Sequence, residues 1–387
     1  MRTAVPRTNR LQQTWQGVTR ATARRLRDAF IAQAASNRRG ARFWAAQVLG
    51  FVILLAYAVL IAWSAWAVWR GLHPFHAGYL ILGALGLMLA WTAKPELTRL
   101  PRERVTPADA PELHQLVQDI SAAINGPRRV HITLSGDFNA SMTNVTLGRD
   151  AWMTLGLPIM LGFEPQERVF VIAHELAHAV NADPKRGFWY HSALRFLWTL
   201  ARTLRPTELY NPDMGIVGVL AVPFNLLMLG ASTAVLGLMW LLMQLSGEAS
   251  QRAEYHADLL AARVSGTPAA LSALAHLHLT SLYDYAMHKH HMHRERPDVF
   301  AELRHQLRAY PREGLLAASR AREEELTSLD DSHPPTSYRE AVIAAHPFEP
   351  AVLLTPERAA RIERELQRFV PAIERDAIHE YRERMLL

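Results

Sequence analysis

Apolar and polar residues follow one another along this chain in long blocks. From Phe43 to Trp69 there are 27 residues without a charge, bounded by Arg42 and Arg70, where about 20 suffice for a helix to cross a bilayer core. Gly71 to Ala93 is a second uncharged stretch, with Pro74 and two histidines at its start and Lys94 at its end. The short connection between them predicts a helical hairpin. The first run lies 42 residues in and its apolar core is about twice the length of a secretory leader's, so it reads as a span. A third run, Met214 to Gly247, has 34 uncharged residues.

Between and after these runs the pattern changes to that of a packed α/β segment. Helical apolar spacing covers Ala110 to Ile124, and short strands are predicted at Val130 to Leu134 and Ala151 to Leu157. Glu164-Pro165 opens a helix that runs to about Val180 and stops before Asp183-Pro184. Gly187 to Leu204 is aromatic-rich but carries Arg195 and Arg202. Helices are expected from Glu248 to Arg263 and from Pro268 to Met287, with a charged helical tail from Thr355. The predicted fold class is a mainly α integral membrane protein whose α+β domain has a small sheet. Its organisation is a basic tail (1–42), a transmembrane hairpin (43–93), two halves of a soluble domain (94–184 and 248–345) around a membrane insert of two helices (185–247), and a charged helical tail (346–387).

Composition narrows the chemistry. The 387 residues include no cysteine, which excludes disulfides, thiolate metal sites and a cysteine nucleophile. Any metal must be held by histidine and carboxylate. Lys+Arg exceed Asp+Glu by 42 to 36, but ten of the basic residues sit in the first 42 positions, opposed only by Asp28. That placement suits a membrane surface better than nucleic acid, and no aromatic-interleaved basic stripe for nucleic acid is present. With Lys94, Arg99, Arg102 and Arg104, the basic tail brackets the hairpin on one side, which the positive-inside bias makes cytoplasmic. An organellar transit peptide is the minor alternative for the Arg-rich tail.

The helix over 167–180 contains His174-Glu175-Leu176-Ala177-His178. Histidines four apart share a helix face, so both rings can reach one ion at about 2 Å. Glu175 is placed to take a proton from water activated by that ion. From this chain's composition, such a match is expected about 0.05 times by chance. A catalytic zinc needs a third protein ligand, and Glu254 is the best candidate. Asp258, one turn further on the same face, can accept a hydrogen bond from a ligand histidine. Ala253, Ala257, Ala261 and Ala262 leave room for close helix packing.

His174 to His178 with Asn181-Ala182-Asp183, Glu254-x-x-x-Asp258, and His333-Pro334-Pro335 with Arg339 together resemble the HtpX-type membrane metalloproteases, gluzincins related to the CAAX prenyl proteases. The paired spans and the apolar insert between second and third ligands match as well, so the resemblance covers roughly 43–345. It implies a zincin-type fold and one zinc ion per chain on His174, His178 and Glu254, with Glu175 as general base. It further implies Asp258 behind the ligands, and His333 or Arg339 near the substrate or oxyanion. The implied activity is that of a zinc metalloendopeptidase (EC 3.4.24 type) acting on membrane or misfolded polypeptides in quality control. The implied location is the bacterial inner membrane, with the catalytic domain cytoplasmic. The chain departs from the family at Asn139-Ala140-Ser141-Met142-Thr143-Asn144, Gln251 and Glu340. The rival readings are a CAAX-type processing protease and a zinc-binding membrane scaffold that cuts nothing.

Three ligands on one ion require the 75 residues between His178 and Glu254 to cross the membrane an even number of times. The 34-residue run is about 51 Å as a helix against a core near 30 Å. The favoured reading sends 187–204 out and returns through 214–244, with Arg205 to Asp213 as the far loop. Against it stands Arg195 in mid-membrane, about 3 kcal/mol. In the alternative, Pro223, Asn225 and Gly230 fold the long run into a re-entrant hairpin and 187–204 lies in the interface. The histidines at 288, 290, 291 and 293 have spacing that favours a polar face over a second metal site.

Overall fold

The computed structural model describes residues 23–32, 40–94, 104–144, 150–181, 188–210, 213, 215–292, 298–310 and 334–386. In chain order the elements begin with α1 (23–32), α2 (Ala41–Leu72), α3 (Ala77–Thr92) and α4 (Pro111–Ala123). Strands β1 (Val130–Ser135), β2 (Ala140–Asn144) and β3 (Ala151–Gly156) follow, then α5 (Leu157–Gly162), α6 (Pro165–Asn181) and α7 (Phe188–Leu204). The rest are α8 (Ile216–Ser265), α9 (Thr267–Leu277), α10 (Thr280–Met292), α11 (Val299–Ala309), α12 (Thr336–Ala344), α13 (Pro356–Gln367) and α14 (Val370–Leu386). The chain divides into two compact units, one of residues 1–37, 98–183 and 250–387, the other of 38–97 and 184–249.

The first unit is a mainly helical domain around a mixed sheet of order β1-β3-β2. β1 and β3 run parallel, Val130 opposite Ala151, while β2 runs antiparallel to β3, Ala140 opposite Leu155. Along β3, Ala151, Met153 and Leu155 point into the core. On the other face Trp152 Nε1 donates to Thr133 Oγ1 at 2.7 Å, the alternation a half-covered strand requires. β2 alternates too, Ala140 and Met142 toward the core against Ser141 and Thr143, but it is too short and its apolar side too small for the sequence pattern to predict it. The segment expected as one helix from Pro268 to Met287 is two, α9 and α10, parted by a turn at His278-Leu279.

Helix α6 runs through the middle of this unit. Val169, Phe170, Ile172, Ala173, Leu176 and Ala177 are all wholly buried, so the helix has no solvent face along its central turns. Its start is fixed chemically. Pro165 occupies the first helical position, where a missing N–H costs nothing, and the Glu167 carboxylate reaches back to accept from the Glu164 N–H at 2.9 Å. The other oxygen of Glu167 accepts from Ser272 Oγ at 2.5 Å and lies 3.0 Å from His276 Nδ1, tying α6 to α9. The turn from α8 into α9 uses Gly266 at φ 86°, a conformation that costs glycine little. In α13, Glu365 receives the Glu112 and Leu113 N–H groups at 2.9 and 3.1 Å. It thereby caps the positive end of α4 and packs the charged tail on the domain.

The second unit holds the apolar helices. α2 and α8 are long and apolar enough to cross a bilayer, and α3 is a shorter apolar helix. Large apolar side chains such as Phe51, Leu55, Val59, Trp66, Leu82 and Met88 point outward, which a helix in water does not sustain over such a length. α2 and α3 form the expected hairpin and approach closely at Gly83, where a Cβ would fall 2.7 Å from the Ser64 carbonyl oxygen. The 34-residue run is no re-entrant hairpin. Pro223 lies inside α8, and the helix continues unbroken to Ser265. The two helices expected as separate elements, 214–247 and 248–263, are therefore one. α7 pairs antiparallel with the first part of α8 through Ser246 Oγ to Tyr190 Oη (3.0 Å), Ser232 Oγ to the Ala201 carbonyl (2.8 Å) and Asn225 Nδ2 to the Leu209 carbonyl (3.1 Å).

Burial pushes the Glu167 pKa up, but His276, Ser272 and the Glu164 N–H outweigh it and hold the carboxyl below its ordinary 4.5. Stability from a lowered carboxyl is present above the ordinary value and lost as pH falls through the folded one. Glu167→Gln is therefore expected to cost about 1–3 kcal/mol near pH 7 and little in acid, where wild type and variant converge. Thermal unfolding of the two proteins across pH checks this.

Candidate metal centre

Three elements of the first unit meet at one point. α6 contributes His174 and His178, the end of α8 contributes Glu254 and Asp258, and α12 contributes Arg339. One helical turn separates the two histidines, so their rings stack edge to face with centroids 4.7 Å apart. Their Nε2 atoms are 3.1 Å from each other. Glu254 Oε2 lies 3.6 Å from His174 Nε2 and Oε1 lies 3.5 Å from His178 Nε2. All three residues are buried, and among the described residues this is the one group of three or more metal-type donors within mutual reach.

These separations suit a tetrahedral cation. Donors at the 2.0–2.1 Å typical of zinc stand about 3.3 Å apart around the ion; the two ring nitrogens are 3.1 Å apart, and each lies 3.5–3.6 Å from one of the two Glu254 oxygens. The surrounding charge agrees. Burial pulls the His174 pKa down, yet Asp258 and Glu254 more than reverse this and lift it to about 9. The carboxylates thus make the space between the rings favourable for positive charge. A buried carboxylate pair facing two neutral rings is costly without such compensation.

Behind His174 stands a second charged pair. His174 Nδ1 lies 3.0 Å from Asp258 Oδ1. Arg339 donates to the same carboxylate through Nε at 2.7 Å and Nη2 at 2.6 Å. Asp258 is 0% exposed and Arg339 7%. Burial pushes the Asp258 pKa up, but the Arg339 guanidinium and the His174 ring outweigh that and keep it ionised, below its ordinary value. The guanidinium is spent on Asp258, so in this arrangement Arg339 acts on the centre through Asp258. The sequence offered no sign of that pairing, because the partners are 81 residues apart. Glu175 follows His174 on α6 and is 6% exposed. His333 lies outside the described residues.

One comparison with known proteins covers this same region. A model described as Peptidase family M48 matches residues 107–346. The chain belongs to peptidase family M48. It is also similar to a protein named Protease HtpX homolog from Syntrophobacter fumaroxidans, 28% identical over 141 residues, covering 34% of this chain and 47% of that relative. The chain thus spans about half the length of the curated relative it matches. No solved structure matches it. The M48 match begins four residues before α4 and ends two after α12. It encloses the histidine pair, Glu254, Asp258 and Arg339, and leaves out α1 to α3, α13 and α14.

Removing one partner from a buried ion pair leaves a charge without compensation. Arg339→Met is expected to destabilise the metal-free protein by about 3–5 kcal/mol, and Asp258→Asn added to it to recover part of that loss. Unfolding midpoints of the single and double variants measure the difference.

Proposed function

We propose that this M48 chain is a membrane-bound zinc endopeptidase. The observation that carries the reading is the convergence of His174 Nε2, His178 Nε2 and the Glu254 carboxylate at separations of 3.1–3.6 Å. Two imidazoles and a carboxylate form a common catalytic zinc set that leaves a fourth position open. One zinc per chain would sit on those three residues, with Asp258 fixing the tautomer and tilt of the His174 ring. When bound, zinc polarises a carbonyl and brings the pKa of water towards neutrality.

The protein's own groups do the rest. The Glu175 carboxylate, beside His174 on α6, takes the proton of the attacking water and returns it to the leaving amine. β2 is an edge strand of the sheet and packs against α6, so an extended polypeptide added to that edge lies along the helix bearing Glu175. His333 is assigned to the substrate or the developing oxyanion, and Arg339 to holding Asp258. The outward apolar surfaces of α2, α3 and α8 support a place in a lipid bilayer. The basic residues flanking the α2–α3 hairpin favour a cytoplasmic catalytic domain at a bacterial inner membrane. The substrates are membrane or misfolded polypeptides.

Purified protein in detergent is expected to carry close to one zinc and to digest casein. Glu175→Gln keeps the metal and loses cleavage by about 10²-fold or more, whereas His174→Ala nearly empties the site. A zinc-loaded wild type that cuts no peptide would favour the scaffold instead.

A further inference from the structure

Helix α1 lies outside the M48 match, yet it packs on the two helices that carry the Asp258–Arg339 pair. Its buried residues, Ala23, Leu26 and Phe30, are 4%, 3% and 1% exposed and share one helical face. Leu26 and Phe30 form an apolar cluster with Tyr255 and Leu259 of α8 and Val342 of α12, with Tyr338 and Phe348 at its margin. The Phe30 and Tyr255 rings are 5.2 Å apart. This cluster is separate from the main core of the unit.

Polar contacts fix the register of α1. His346, just past α12, places Nε2 2.7 Å from the Phe30 carbonyl oxygen. The Arg27 guanidinium lies over the Tyr338 ring, 4.7 Å from its centroid, and Arg24 Nε donates to Tyr338 Oη at 3.4 Å. The neighbours in sequence matter here. Tyr255 follows Glu254, Leu259 follows Asp258, and Tyr338 precedes Arg339.

α12 depends on such support. It has nine residues and no side-chain cap at its start, too short to hold a helix unaided. One flank packs on α9, and Thr336 contacts His278 Nε2. The other flank is covered by α1. α1 thus supplies the contact on that flank.

We propose that α1 is a clamp that sets the Arg339–Asp258 pair, and through it the His174 ring, with Phe30 as its positioning residue. By filling the crevice between α8 and α12, Phe30 and Leu26 fix how far the Arg339 helix stands from the helix bearing Asp258 and Glu254. The catalytic arm of this proposal rests on the peptidase reading; the structural arm does not.

The test uses the full chain in detergent with Phe30→Ala, the conservative Phe30→Leu, and Leu26→Val as a smaller cut into the same contact. In the metal-free protein, amide hydrogen exchange over 336–344 is expected to speed up about tenfold in Phe30→Ala, with 151–156 unchanged. In the zinc-loaded protein, kcat falls about five- to tenfold with KM within about twofold and zinc retained. Phe30→Leu restores most of both effects. Leu26→Val shows the same pattern at smaller amplitude, and decides the matter where Phe30→Ala is too unstable to purify. Unchanged exchange over 336–344 overturns the proposal. So does a loss of kcat that merely tracks lost zinc or lost folded protein. A wild type without Glu175-dependent cleavage defeats the peptidase reading instead, and the exchange measurement still judges the clamp.

Discussion

Asp258 is the point on which the arrangement turns. It is fully buried, and a carboxylate there is tolerable only if both oxygens are matched by positive or polarised partners. Arg339 supplies two hydrogen bonds and a full charge, and the His174 ring supplies a third contact. Because the guanidinium is planar and binds in a fork, this requirement fixes α12 in angle as well as distance. α6, α8 and α12 are thereby held in one register, and the Nε2 atom of His174 is aimed at His178 and Glu254 as a consequence.

The same logic separates stability from function among the buried charges. Glu167 fastens the start of α6 and α9, and Arg168 spans from the Phe163 carbonyl to Glu363 of α13. Both tie elements together within a core of aliphatic side chains, and no metal-type cluster forms around either among the described residues. The His174, His178 and Glu254 group differs in that its donors face one another across a gap. Together those donors could hold one cation.

Much of this was legible in the sequence because it is written in local periodicity. The four-residue spacing of His174 and His178, the apolar run of α2, and Glu164-Pro165 at the start of α6 each specify their element without help from elsewhere. What escaped depends on tertiary partners. β2, Ala140 to Asn144, alternates only weakly, Ala140 and Met142 against Ser141 and Thr143, and pairs along its length with β3. The break between α9 and α10 falls at His278-Leu279, where neither residue is a helix stop. α8 looked like two helices because its character changes from apolar to charged at Glu248, but composition is not a breaker, and no proline interrupts it after Pro223. The Asp258–Arg339 pair was readable as two candidates and not as a pair.

The length of α8 resolves the awkward arithmetic of the 34-residue run, too long for one crossing and too short for two. The run is part of a helix of 50 residues, about 75 Å long, so it need not fit the bilayer by itself. Within the second unit α7 pairs with the apolar part of α8. Tyr190, near the start of α7, touches Ser246 near the end of the apolar run, while Asn225 meets the chain just after α7 at Leu209. The two ends of this apolar hairpin thus lie together, at Tyr190 and Ser246. Closure of this helical hairpin returns the chain to its starting end, and Glu254 follows eight residues after Ser246 on the same helix.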